Sequence, residues 1–71
     1  MADALKLGKY RHYKGKEYEV LSLARHSETL EELVVYRALY GAGDVWVRPC
    51  AMFCEEVVVE GVKMPRFRYV G

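Results

Sequence analysis

The chain has 71 residues and a mass of 8.2 kDa, which is enough for one domain and no more. Hydrophobic residues make up 52% of it and charged residues 30%, so the composition excludes both a disordered tail and a membrane-spanning protein. The formal net charge is +1, but residues 6–25 and 61–71 are basic whereas residues 26–60 are acidic.

Residues 1–7 are predicted to form an N-terminal arm ahead of a single domain at residues 8–71. The arm lacks the apolar run of a secretory signal, which predicts a cytoplasmic protein with no membrane association. The domain begins with a strand at residues 8–13, in which Tyr10 and His12 share one face, and Gly15 provides the turn that follows. If the first and last strands lie side by side, their basic residues form one positive face.

Residues 16–26 are predicted to form a long strand. Tyr18, Val20, Ser22, Ala24 and His26 share one face of it, because side chains alternate along a strand. The small side chains of Ser22 and Ala24 are typical of a strand that bends sharply, as small barrels require.

Residues 27–40 allow two interpretations. Residues 29–32 match a helix capping box, and the apolar residues from Leu30 to Ala38 could form a helical stripe. Arg37 would interrupt that stripe, and residues 33–36 are rich in strand-forming side chains. We therefore expect a loop at residues 27–32 and a strand at residues 33–40.

The remaining elements are short. Residues 41–44 form a turn, residues 45–48 a strand, and Pro49 begins one helical turn at residues 50–53. Two strands at residues 57–59 and 62–64 flank a tight turn at Glu60-Gly61, and a final strand alternates arginines with Phe67 and Tyr69. Five or six short strands with one helical turn predict a mainly all-β fold, an SH3-like barrel.

Catalysis and metal binding receive little support from the residues. His12, His26, Cys50 and Cys54 could supply four zinc ligands, but they lack the close pairs that zinc sites use, so we expect no metal and no cofactor. The cysteines are expected to be reduced and packed as small hydrophobic residues.

An alternative function is that of a small hydrolase or transferase with His26 as general base, beside Ser27 and Glu28. Adjacent residues of an extended chain point to opposite sides, so His26 and Ser27 cannot act as a nucleophile–base pair without a turn. We expect instead that His26 caps the end of its strand and that Glu28 pairs with an arginine, Arg37 being the first one to test.

The aromatic residues are the stronger functional signal. Tyrosines at residues 10, 13 and 18 interleave with lysine and arginine, a pattern that binds proteins, peptides or single-stranded nucleic acid, and that also occurs in plain barrel cores. Trp46 and Arg48 share one strand face, so Trp46 is either a core anchor or the floor of a groove. Arg37 lies either at the rim of the fold or against a buried acid.

Six blocks of the sequence, in order, resemble a family of small bacterial proteins, the domain-of-unknown-function family 1653 (DUF1653). They are KYRHYKGKEYEV (residues 9–20), ARHSET (24–29), VYR (35–37), WVRP (46–49), MF (52–53) and PRF (65–67). The resemblance implies a compact bacterial domain with an SH3-like barrel and no established reaction, ligand or cofactor. Cys50 and Cys54 stand where the family is expected to carry bulky aliphatic residues.

The function we favour from the sequence is a non-enzymatic binding module with a groove lined by aromatic residues and arginine. A protein or peptide is the preferred ligand and nucleic acid the alternative one; a structural homodimer is a third reading, since so small a chain hides little apolar surface. The candidate ligand-binding residues are Tyr13, Arg25, His26, Glu28, Tyr36, Arg37, Trp46 and Arg48.

Overall fold

Strands dominate the structure, a computed structural model that describes residues 5–71. In chain order the elements are β1 (Gly8–His12), β2 (Glu17–Arg25), β3 (Glu32–Ala38), β4 (Val45–Pro49), α1 (Cys50–Phe53), β5 (Glu56–Val59), β6 (Val62–Pro65) and β7 (Phe67–Tyr69). The mainly-β prediction is confirmed, and residues 5–71 contain the single helical turn that was expected and seven strands rather than five or six. No helix in the described range is long and apolar enough to cross a membrane.

The strands form two antiparallel sheets. Five of them make one sheet in the order β4-β3-β2-β1-β7, and β5 and β6 make a separate hairpin. Among residues 5–71 no ladder joins β4 to β7, so hydrogen bonds do not close the expected barrel, and both strands remain edges. The first and last strands are neighbours, with Arg11 directly opposite Arg68, as the predicted positive face requires.

β2 bends at a β-bulge, which changes the residues that face the core. Its register on β3 shifts between Val20 and Ser22, so Leu21 has no partner in the ladder. Val20 is buried, but beyond the bulge it is Leu23 that packs against the core. The predicted single face through residues 18–26 is therefore wrong, because one inserted residue reverses the alternation of side chains.

The ambiguous segment before Ala38 is a strand, as expected. β3 pairs with β2 on one side and with β4 on the other. Leu30, which would begin the alternative helix, has a φ of 64°, in the left-handed region that a right-handed helix excludes. The hydroxyl of Thr29 accepts a hydrogen bond from the Glu31 N–H at 3.2 Å and so helps to close the β2–β3 turn.

The β5–β6 hairpin turns at the predicted dipeptide. Glu60 and Gly61 have φ values of 51° and 79°, and a type I′ turn requires positive φ at both central positions. The turn places Val59 opposite Val62 and so fixes the register of the hairpin.

Aromatic rings from four different elements make up the centre of the core. Phe53 of α1 and Phe67 of β7 are stacked, with ring centroids 4.1 Å apart and 3° between the ring planes. Tyr10 and Tyr36 each meet Phe53 edge-on at a centroid distance of 5.5 Å. The other buried hydrophobic residues are Val20, Val34 and Ala38. The face of the large sheet that carries this core is called the inner face below.

Part of the predicted N-terminal arm packs on the domain. Leu5 lies against the core, and the Lys6 carbonyl accepts a hydrogen bond from the Tyr10 hydroxyl at 2.7 Å. Residues 1–4 of that arm lie outside the described residues.

We predict that Phe53→Ala lowers the free energy of unfolding by about 3–5 kcal/mol, because it leaves a cavity against Phe67 and two tyrosine rings. Chemical denaturation of the purified variant measures the loss. Met52→Ala is the matched control, since Met52 precedes Phe53 in the same helical turn but is exposed. Equal losses for the two variants would contradict the central place of the stack.

Candidate functional site

A groove of about 270 Å³ opens on the inner face of the sheet, beside the edge strand β4. Its lining residues come from β2, β3, β4 and the loop after β3: Tyr18, Tyr36, Tyr40, Trp46 and Arg48. The ladder explains this convergence, because Trp46 lies directly opposite Tyr36 and Tyr18 lies opposite Ala38. Side chains of opposing residues project on the same face of a sheet. We call this feature the aromatic groove.

Trp46 is not a core anchor. Its side chain is 51% exposed, although it projects on the inner face. The reason is that β4 is the last strand of the sheet, and no other strand of residues 5–71 lies on its far side. Of the two interpretations that the sequence allowed, the structure therefore supports the groove. The chain contains a single tryptophan, so its fluorescence reports on this surface alone.

Arg48 reaches across the floor of the aromatic groove. Its Nε donates a hydrogen bond to the Tyr36 hydroxyl at 3.2 Å, and its guanidinium carbon lies 5.9 Å from the centroid of the Phe67 ring. The residue is half-buried and forms no ion pair within residues 5–71. A held, half-buried guanidinium without a carboxylate partner is suited to receive an anionic group.

Two tyrosines close the opposite wall of the groove. The hydroxyl groups of Tyr18 and Tyr40 share a hydrogen bond of 2.9 Å, and Lys16 Nζ lies 4.6 Å from the centroid of the Tyr40 ring. Burial, followed by this hydrogen bond, raises the pKa of Tyr18 to about 12. Tyr18 therefore stays a neutral hydroxyl at physiological pH and can donate or accept a hydrogen bond.

The neighbourhood of the groove is electropositive. His12 packs against Phe67 and Tyr18, with ring centroids 4.9 Å and 6.3 Å away. Burial lowers the pKa of His12, and the positive charges of Arg66, Arg48 and Lys14 lower it further, in that order. His12 is therefore uncharged at neutral pH. Arg66 is ion-paired with Glu55 at 3.3 Å, so Arg48 and Lys14 are the nearby cations that can attract an anion.

The predicted positive face is partly neutralised on the outer side of the sheet. Glu17 accepts two hydrogen bonds from the Arg11 guanidinium, the shorter at 2.8 Å, and lies 3.9 Å from Lys9 Nζ. The hydrogen bond from Arg11 is the main reason that the pKa of Glu17 is lowered. Lys9 and Arg11 of β1 thus share one carboxylate, whereas Arg48 on the inner face has no ion-pair partner in the described part of the chain.

Three of the predicted site residues, Arg25, His26 and Glu28, lie at the end of β2 and in the β2–β3 turn, away from the groove. His26 Nδ1 accepts hydrogen bonds from the backbone N–H groups of Glu28 and Thr29, at 3.1 and 3.3 Å. Arg25 donates to the Leu30 carbonyl at 2.8 Å. His26 and Arg25 therefore hold the turn. His26 does not line the groove, because the turn follows the end of β2, whereas Tyr18 of the groove lies near the start of that strand.

Arg37 and Tyr13 are also outside the groove. Arg37 is exposed at the rim and faces away from the core, because both of its neighbours in β3, Tyr36 and Ala38, are buried. No ion pair joins it to Glu28 in the part of the chain that the structure describes. Tyr13 lines a separate small concavity of about 100 Å³, together with Arg11, His12, Gly15, Met64, Pro65 and Arg68.

The two cysteines lie in a shallow concavity of about 380 Å³ with Glu31, Glu32 and Ala51. Burial and the adjacent Cys54 raise the pKa of Cys50, so its thiol stays protonated at neutral pH. A nucleophilic cysteine requires the opposite shift, because the thiolate is the reactive form. Cys50 is therefore not an activated nucleophile.

The structure thus brings together Tyr36, Trp46 and Arg48 from the predicted set and adds Tyr18 and Tyr40, which the prediction omitted. A signal for both was present in the sequence. Tyr18 has the same parity as Val20 before the bulge, and Tyr40 has the same parity as Tyr36 in the strand expected at residues 33–40.

Comparison with known proteins gives one family and one solved structure. The family model described as a protein of unknown function (DUF1653) matches residues 8–69. The crystal structure of a protein belonging to DUF1653 from Bordetella bronchiseptica is similar, with a TM-score of 0.87 and 42% sequence identity over 94% of this chain and 88% of that chain. No curated protein sequence shows a significant match.

The raised pKa of Tyr18 predicts that stability falls at high pH. An unfolded chain loses the tyrosine proton near the ordinary pKa of 10.0, whereas the folded chain keeps it up to about 12. The stabilisation is therefore complete below pH 10 and is lost as the pH rises through 12. Chemical denaturation across this interval should show a smaller loss for Tyr18→Phe than for the wild type, and parallel profiles would contradict the assignment.

Proposed function

The chain belongs to the DUF1653 family, whose function is unknown, and we propose that it is a non-enzymatic binding module. Its ligand is a segment of a protein or peptide, which lies in the aromatic groove. The observation that carries the proposal is the exposed ring of Trp46 beside the half-buried guanidinium of Arg48, which has no ion-pair partner among residues 5–71. Tryptophan and arginine are the residues that most often dominate the energy of protein interfaces.

The geometry of the groove favours a ligand with an acidic group next to an apolar one. Arg48 is already oriented by Tyr36, so its remaining N–H groups can donate to a carboxylate at little entropic cost. The flat faces of Trp46 and Tyr40 can pack against a proline, an aliphatic or an aromatic side chain. The hydroxyl pair of Tyr18 and Tyr40 can hydrogen-bond to the ligand backbone.

Features elsewhere in the molecule support binding rather than catalysis. His26, the candidate general base, uses Nδ1 to accept two backbone hydrogen bonds that hold a turn. Cys50, the partly buried cysteine, has a raised pKa and is therefore a poor nucleophile. Neither residue lines the aromatic groove.

Single-stranded nucleic acid is a second candidate ligand, which the cation–aromatic pairs near the groove favour. Lys16 lies over Tyr40, and Lys14 Nζ lies 5.8 Å from the centroid of the Tyr13 ring. Surfaces that bind single strands combine such cations with rings on which bases stack. Strong salt dependence would distinguish this ligand from a peptide, because phosphate binding releases counterions.

We predict that Trp46→Ala weakens the binding of an acidic peptide by about 2 kcal/mol, or roughly thirtyfold in Kd. The ligand is selected by screening arrayed peptides in which aspartate or glutamate flanks a proline or an aromatic residue. Affinity is measured by quenching of Trp46 fluorescence in the wild type and by calorimetry in the variants.

Tyr40→Ala and Tyr69→Ala form a matched pair for the same measurement. Both tyrosines are 43% exposed, but only Tyr40 lines the aromatic groove. Binding should weaken for Tyr40→Ala and stay unchanged for Tyr69→Ala. A peptide screen that leaves Trp46 fluorescence unchanged, together with binding of short oligothymidylate that disappears at high salt, would replace the peptide with nucleic acid.

A further inference from the structure

β4 is an edge strand whose hydrophobic side chains are open to solvent. Val45 and Val47 are 54% and 61% exposed, and Trp46 between them is half exposed. Soluble proteins usually protect such an edge with a lysine, a bulge or a covering segment, because bare backbone groups invite further strand pairing. In β4 only Pro49, at the end of the strand, interrupts the edge.

The backbone N–H and C=O groups of β4 that point away from β3 include those of Val45 and Val47. The Ala38 N–H donates to the Asp44 carbonyl at 2.9 Å, which makes these residues a hydrogen-bonded pair at the start of the β3–β4 ladder. Such pairs recur at every second residue of an antiparallel ladder, so the even-numbered residues of β4 direct their backbone toward β3. The N–H and C=O groups of Val45 and Val47 therefore point away from the sheet.

We propose that a second copy of this chain pairs with this edge, β4 against β4, antiparallel about a two-fold axis at Trp46. In this register Val45 of each copy lies opposite Val47 of the other, and the outward N–H and C=O groups of both valines find hydrogen-bond partners. Trp46 lies opposite Trp46 of the second copy in a non-hydrogen-bonded pair, where side chains approach most closely.

The register also matches opposite charges. Asp44 of one copy lies opposite Arg48 of the other, and the two-fold axis generates the same pair again. Neither residue has an ion-pair partner within the described part of the chain. Any extended peptide could form hydrogen bonds with the outward backbone groups of β4. The sequence of residues 44–48, an acid followed by valine, tryptophan, valine and arginine, is complementary to itself when antiparallel, and this favours a second copy.

The outer face adds apolar contact to the same interface. Val35 of β3 lies opposite Val47, and in the dimer Val47 meets Val45 of the second copy. Val35 and Val47 of one copy thus form a row with Val45 of the other, and the two-fold axis generates a second such row. Removing these side chains from water stabilises the pairing.

The pairing extends the aromatic groove from one copy into the other. Trp46 lines the groove of its own copy and lies at the two-fold axis, so the two grooves meet at the tryptophan pair. The inference goes beyond the proposed function. The backbone of β4 and the side chains of Val45 and Val47 carry the pairing and lie outside the groove, whereas Trp46 and Arg48 belong to both surfaces.

Sedimentation equilibrium of the purified chain across the micromolar range tests the interface. We expect the wild type to be a dimer. The dimer dissociation constant of Val47→Lys should be at least a hundredfold higher, because each of the two substituted copies weakens the pairing about tenfold. Val47 is exposed and its N–H is not used by β3, so the variant should unfold like the wild type. A wild type that is monomeric throughout the range overturns the proposal.

Val58→Lys is the matched control. Val58 is 67% exposed and lies on the separate β5–β6 hairpin, so the substitution adds the same charge to an equally open strand away from β4. This variant should dimerise like the wild type. Equal weakening of the dimer in both variants would assign the effect to net charge and contradict an interface at β4.

Cysteine cross-linking tests the register. With Cys50 and Cys54 replaced by serine, an equimolar mixture of Val45→Cys and Val47→Cys chains should form a disulfide-linked heterodimer under mild oxidation. A cross-link formed preferentially within Val47→Cys alone would place the axis at Val47 and overturn the proposed register.

Peptide titration of Val47→Lys keeps the test of the groove separate, since this variant retains every groove residue.

Discussion

The stack of Phe53 on Phe67 is the contact on which the rest of the structure depends. α1 has four residues and β7 has three, so neither element is long enough to be stable by itself. The stack joins them across the concave side of the sheet and presents ring edges and faces to Tyr36 and Arg48. Since those two residues form the floor of the aromatic groove, the core and the candidate site are supported by the same rings.

The sequence was a good guide where local rules decide the structure. The alternation of β7, the positive-φ turn at Glu60-Gly61 and the helical turn after Pro49 all depend on neighbours in the chain, and all are present. The bulge at Leu21 could not be read in this way, because it arises from the pairing of β2 with β3. For the same reason, the sequence did not show that His26 lies far from Trp46. Local rules do not tell which residues of distant strands lie side by side.

The candidate site was predicted in part for a similar reason. Tyr36, Trp46 and Arg48 were found because parity places them on one face of adjacent strands. Arg37 was misleading because it sits beside a buried tyrosine in sequence but on the opposite face of the sheet. The same parity rule points to Tyr18 and Tyr40, but it does not show their shared hydrogen bond, which joins residues that are 22 positions apart.

The pairing of β1 with β7 ties one end of the described chain to the other. Bringing these strands together closes a loop of nearly the full chain length, at a cost in chain entropy that only the assembled core can offset. The β5–β6 hairpin, by contrast, closes over two residues. We therefore expect the hairpin to form early and the β1–β7 ladder last, so that the domain folds slowly for its size and in one cooperative step.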